Sequence, residues 1–123
     1  MNNTHELLKE IIGAFGYQMV ENDGESLSVS FQLNTIYLHS HSQDESFVIA
    51  ILSNYPIVTK DNYNEILAKC NKMNKKLQQV KFYIMNDRVI SSVEFHYWKK
   101  SDLRFQLKKA MENLVVGKVE FFN

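Results

Sequence analysis

Residues 25–33 read ESLSVSFQL. Leu27, Val29, Phe31 and Leu33 alternate with Ser26, Ser28, Ser30 and Gln32. A period of two is that of a β-strand with one apolar face and one wet face. Such a strand needs neighbours to pair with and a layer to cover its apolar side, so the rest of the chain is read for both.

The neighbours follow at once. Asn34 begins a turn and TIYLHSH, from Thr35, is a second strand; the QDE at 43–45 turns the chain again. SFVIAILS, 46–53, is apolar on both faces, as expected of a strand covered on both sides or lying near the sheet centre. Before the opening stretch, Asp23-Gly24 is a turn signal, and Tyr17 to Glu21 fits a short extra strand. Pro56 ends the first group of strands. Further on, Val80, Phe82 and Ile84 alternate, and Asn86-Asp87 allows a tight turn. The next strand places Val89, Val93, Phe95 and Tyr97 on one face and Ile90, Glu94, His96 and Trp98 on the other.

The covering layer is helical. Asn3 with Glu6 resembles a capping box; Leu7, Leu8, Ile11, Ile12 and Phe15 form a stripe at helical spacing, and Gly16 suits the position past the helix end. Thr59 or Asp61 can cap a second helix, whose face is Tyr63, Ile66, Leu67, Cys70, Met73 and Leu77. Ser101 can cap a third, with Leu103, Leu107, Ala110, Met111 and Leu114 inward. Gly117 weakens that helix by about 1 kcal/mol relative to alanine. The expected fold is α+β, an antiparallel sheet of about five strands with helices mostly on one face, in the order α-β-β-β-α-β-β-α.

Composition bounds the rest. At 123 residues the chain reads as one domain, 1–123. Apolar residues make up 45% and charged residues 23%, which is the balance of a soluble globular protein. A single cysteine excludes an internal disulfide and fits a reducing compartment. No signal peptide or membrane-spanning run is present, so the expected location is the cytoplasm. Net charge is zero but unevenly written: residues 1–59 hold one base and seven acids, residues 60–123 thirteen bases and seven acids. If both halves share one sheet, that polarity in sequence need not become a basic surface, and nucleic acid is not the expected partner.

No catalytic signature appears: no Gly-rich phosphate loop, no zinc-type Cys/His spacing, no nucleophile elbow. No cofactor or metal is implied. The nearest approach to a metal set is His39 and His41, on one side of a strand, with His96 on another strand; the plainer reading is a solvated outer face. Cys70 falls within an apolar stripe, where a thiol acts as a small hydrophobe. Lys69, Lys72, Lys75 and Lys76 fit a solvated helix face better than a phosphate patch. Trp98, Phe105, Phe121 and Phe122 are candidate exposed aromatic residues; Phe105 lies about 200° around its helix from Leu107 and so leaves the main stripe. They mark either a partner interface, or a helix covered on two sides or a tail folded back over them.

Residues 69–84, KCNKMNKKLQQVKFYI, carry two asparagines. With Cys70 at 0°, Asn74 lies near +40° and Asn71 near +100° on a helical wheel. Asn74 is thus expected on the core-facing side, tethering the helix to neighbouring backbone with help from Asn71; a small polar pocket is the other reading.

The segment CNKMNKKLQQVKFYIMNDRVISSVEFHYW, from Cys70 to Trp98, resembles the YbjN family, proposed bacterial sensory transduction regulators. The shared pattern is a helix ending in Asn-x-x-Asn, a basic or polar pair, and two strands about a short turn: here Asn71, Asn74, Lys75 and the strands flanking Asn86-Asp87. The element order agrees from about residue 5 to 121, in a layout similar to type III secretion chaperones. HSHSQDES and the aromatic tail depart from the family pattern. The resemblance implies no active site. It implies a dimer that binds an extended segment of another protein. The expected function is therefore a non-enzymatic cytoplasmic interaction module, a homodimer with a protein partner. The alternative is a small-ligand or metal sensor using the His39/His41 face or a pocket near Asn74.

Overall fold

A computed structural model describes residues 3–41, 43 and 46–123. Among these, three helices and six strands form in the order α1 (Asn3–Phe15), β1 (Met19–Glu21), β2 (Ser26–Phe31), β3 (Asn34–His39), β4 (Phe47–Leu52), α2 (Tyr63–Lys76), β5 (Lys81–Met85), β6 (Arg88–His96) and α3 (Lys100–Phe122). One antiparallel sheet takes the strands in the order β1-β2-β3-β4-β6-β5. The short strand after α1 is its sixth member, pairing Val20 with Ser28. Strands joined by tight turns pair with each other. The one long connection, through α2, carries the chain past a vacant position to the far edge, and β6 then inserts between β4 and β5.

The alternation in residues 25–33 has the predicted outcome for most of its length. Leu27, Val29 and Phe31 are buried, while Ser26, Ser28 and Ser30 are not. It fails at its end. Leu33 is fully exposed, because the strand stops at Phe31 and Gln32-Leu33 form the two-residue turn into β3. Both have positive φ, 49° and 65°. A two-residue hairpin that matches the twist of its strands demands that conformation, and neither side chain favours it. Asn34 is then the first residue of β3 rather than the turn; its Nδ2 donates to the Gln32 carbonyl at 2.8 Å. Leu33→Gly is expected to raise stability by about 1 kcal/mol by relieving the left-handed strain. Urea denaturation of the two proteins checks it, and an unchanged midpoint would show that the turn holds no such strain. The other turns behave as read. Gly16 closes α1 at φ 81°, Asp23 Oδ1 accepts the Glu25 N–H in the β1–β2 connection, and Asn86, at φ 59°, turns β5 into β6. The turn expected at 43–45 lies largely outside the described residues.

Register aligns the core across the sheet: Val29 with Ile36, Leu27 with Leu38, Leu38 with Ala50, Ala50 with Val93. These side chains share one face, and the helices pack on it through Leu8, Ile11 and Ile12 of α1, Ile66, Cys70 and Met73 of α2, and Leu103, Leu107, Met111 and Leu114 of α3. On the other face no helix packs among the described residues. There β4 presents Phe47, Ile49 and Ile51, each only partly buried, beside an exposed Tyr37. The strand that reads as apolar on both sides is therefore central, as β4 is, but covered on one side only.

Two helix starts differ from the sequence reading. α3 begins at Lys100 with Lys99 as its cap residue, and Asp102, not Ser101, supplies the hydrogen bond, accepting the Trp98 N–H at 2.9 Å. α2 has Asn62 at its cap position; its side chain bridges Thr59 and Ile57 instead of capping the helix.

Between β4 and α2, Tyr55 drops back into the core, and its hydroxyl donates to Ser91 Oγ at 2.9 Å. Burial pushes this phenol from the usual 10.0 up to about 12. The folded state thus keeps a proton that the unfolded chain releases earlier. Stability contributed by neutral Tyr55 is complete below pH 10 and is lost as pH rises through about 12. Phenolate absorbance is expected to show Tyr55 titrating late, with alkaline unfolding. Replacement of Tyr55 by phenylalanine should remove that late step.

Candidate functional site

The 69–84 stretch folds as a clamp. Asn74 Nδ2 donates to the Phe82 carbonyl at 2.8 Å, and the Phe82 N–H donates to Asn74 Oδ1 at 2.6 Å. β5 is an edge strand, so Phe82 has backbone groups with no strand to meet; the amide supplies both a donor and an acceptor there. This is the backbone partner expected of Asn74, with one correction. Asn74 is an exposed residue at the rim of the packing face and not a polar group inside it, because the clamp reaches the sheet's outer edge. Asn71 is exposed, and its side chain makes no hydrogen bond among the described residues. Cys70, one position before it, is buried, and burial pushes its thiol up, away from the reactive thiolate. Of the four lysines, Lys69 lies 4.8 Å over the Phe121 ring and Lys76 pairs with Glu120 at 2.6 Å, so these two hold α2 against α3.

The histidines are spread out. His39 and His41 have ring centroids 6.3 Å apart, and His41 Nδ1 accepts the Gln43 N–H. β3 ends at His39, so His41 lies past the strand expected to carry both; His96 lies on β6, separated from β3 by β4, and packs on Phe47 at 4.7 Å. Among the described residues, the group of three with metal-type spacing is a different one: His5, Glu6 and Glu21, whose ligand atoms lie within 4.8 Å of one another. Lys9 sits in this group, 3.3 Å from Glu21 and 3.8 Å from Glu6. Its ammonium already supplies the positive charge a cation would bring. His5 Nε2 lies 2.5 Å from Glu21 Oε2, and that bond, with Lys9 adding to it, holds the Glu21 carboxyl below the usual carboxylate range. The arrangement ties α1 to the edge strand β1.

The four aromatic candidates divide. Trp98 is 92% exposed, Phe105 66% and Phe122 51%. Phe121 is buried: its ring stacks on Phe82 at 5.9 Å and meets Tyr55 edge-on at 4.9 Å. It belongs to the core because α3 runs on through Phe122 and brings residue 121 round to the inward face, beneath α2. Phe122 lies over Tyr55 with near-parallel rings while keeping one side in solvent. Beside Phe105, a groove of about 550 Å³ is lined by Phe15, Arg104, Lys108 and Glu112, with Arg104 held over the Phe15 ring at 4.9 Å. Sequence reasoning missed Val116 and Val119, each more than half exposed on the same helix. Their positions on the wheel, Val116 opposite Leu107 and Val119 about 120° from it, were the available signal. The acidic and basic halves of the chain are interleaved in the fold, since β4 of the first half pairs with β6 of the second.

No protein-family model matches the chain, and no curated protein matches it. Solved structures do. YbjN of E. coli, described as a candidate transcription regulator, superposes with a TM-score of 0.71 at 9% identity, over 94% of this chain and 88% of that one. The Yersinia pestis type III secretion chaperone SycH, solved in complex with a stable fragment of YscM2, gives 0.65 at 13% identity, over 95% and 98%. An uncharacterised protein of Methanothermobacter thermautotrophicus gives 0.60 at 13%, over 97% and 94%. No helix is long and apolar enough to cross a membrane among the described residues. At these identities the likeness is one of fold: this chain has the α+β fold of YbjN and SycH.

Proposed function

We propose that this chain is a non-enzymatic protein-binding module, a homodimer in the cytoplasm that regulates or chaperones a protein partner. The observation that carries the reading is the apolar surface left outside a well-filled core: Trp98, Phe105, Val116 and Val119 on or beside α3, and Tyr37, Phe47, Ile49 and Ile51 on the open face of the sheet. Apolar side chains gathered on one helix face and one sheet face in this way are the composition of protein interfaces. SycH, a chaperone of the same fold, holds a fragment of another protein, which supports a protein as the ligand here. The His39/His41 face and a pocket near Asn74 are the sites of the alternative, a ligand or metal sensor. Asn74 weakens that alternative, since both ends of its amide are engaged by Phe82.

Two measurements decide between them. Co-purification from the native cytoplasm is expected to recover a protein partner, and a thermal-shift screen of metals and metabolites is expected to show no stabilisation. A ligand that binds only the folded state must raise apparent stability. A metal or metabolite that raises the melting temperature, with no protein recovered, would overturn the proposal in favour of the sensor.

A further inference from the structure

α3 is a 23-residue helix with apolar residues on two opposite sides. Taking Leu107 as 0°, the core residues Leu103, Ala110, Met111, Leu114 and Phe121 lie within about 60° of it. Phe105, Lys109, Glu112, Val116 and Val119 lie at about 120–200°, on the back. All five are exposed. A helix that is apolar on both sides calls for cover on both. The strip also holds one base and one acid at its centre, and among the described residues neither Lys109 nor Glu112 makes an ion pair. This differs from the open sheet face, where Lys81 and Glu94 already pair at 3.5 Å.

The order of chemistry along the strip is apolar, basic, acidic, apolar. Turned end for end, such a strip complements itself. In an antiparallel pairing centred between residues 110 and 111, Phe105 meets Val116 of the other copy and Lys109 meets its Glu112. Two-fold symmetry repeats both contacts. That self-complementarity is what an isologous interface requires. The groove of about 550 Å³ beside Phe105 gives room for the valines of the incoming helix.

We propose that the exposed back of α3 is the surface on which a second copy of this chain docks, with the two α3 helices antiparallel and Lys109 facing Glu112 across the two-fold axis. The assignment rests on the homodimer reading and names its interface. An unrelated protein fits the strip less well, since nothing would then require its two charges to sit symmetrically about the centre.

The test is mass in solution by light scattering over a concentration series, on the full chain and on exposed-site variants whose folding is checked by circular dichroism. Phe105→Glu and Val116→Glu should each turn the dimer into a monomer. Lys109→Glu and Glu112→Lys should each weaken it, on the order of tenfold, by setting like charges face to face. The double variant carrying both should restore it. Ile49→Lys, on the open sheet face, should leave the mass unchanged. A monomeric wild-type chain would overturn the homodimer reading itself. A wild-type dimer that ignores the α3 variants, or that Ile49→Lys dissociates, would overturn only this interface.

Discussion

Gly117→Leu is expected to destabilise the protein by about 3 kcal/mol, the upper range for overfilling a packed site. Gly117 is buried where α3 crosses β5 and the end of α2. A Cβ built there would lie 3.0 Å from Phe82 Cζ, 3.5 Å from Val80 and 3.7 Å from Leu77. The Phe82 ring is not free to withdraw. It stacks on Phe121 and meets Tyr55 edge-on, so moving it disturbs three aromatic residues together. Gly117→Ala sharpens the point, because alanine favours the helix by about 1 kcal/mol. The contact is expected to outweigh that gain and leave the alanine variant less stable than wild type. Chemical denaturation measures both. A stabilised alanine variant would show that Phe82 yields and that Gly117 is merely a weak helix residue.

The second large effect is expected at Asn74. Asn74→Leu removes both hydrogen bonds to Phe82 and strips the edge of β5 of its partner, at a cost of about 2 kcal/mol, roughly 1 for each bond. Asn74 lies at an exposed rim where water can replace part of the loss, so the effect should stay below that at Gly117. Asn71→Leu serves as the comparison, because Asn71 makes no such contact and should change stability little. If Asn74→Leu keeps wild-type stability but loses binding of a partner or ligand, the clamp reading is wrong and a binding role for the amide takes its place.

Sequence patterns conveyed the sheet well because periodicity reports burial. Leu27, Val29 and Phe31 had to share a face, and three helical stripes had to cover it. The pattern misled at Leu33, since alternation cannot say where pairing stops; hairpin geometry took two residues with no preference for a turn. It misled at Phe121 as well, where the helix ran about two turns beyond Leu114, the last residue of the expected stripe. Asn74 was legible as a tether from its angle on the helix, but its partner Phe82 was not, because which strand forms the sheet edge depends on the insertion of β6. The purpose of Gly117 was hidden for the same reason: helix propensity shows its cost, and only the crossing of α3 over Phe82 shows its use. The α3 strip could be read on a wheel, yet its meaning depends on which side of the helix the core takes.

The central claim is that this chain works as a protein-binding dimer. The direct measurement is the native mass of the unmodified chain by sedimentation equilibrium. The account predicts a species of twice the 14.4 kDa chain mass, dissociating on dilution. A mass of 14.4 kDa at every concentration would contradict it.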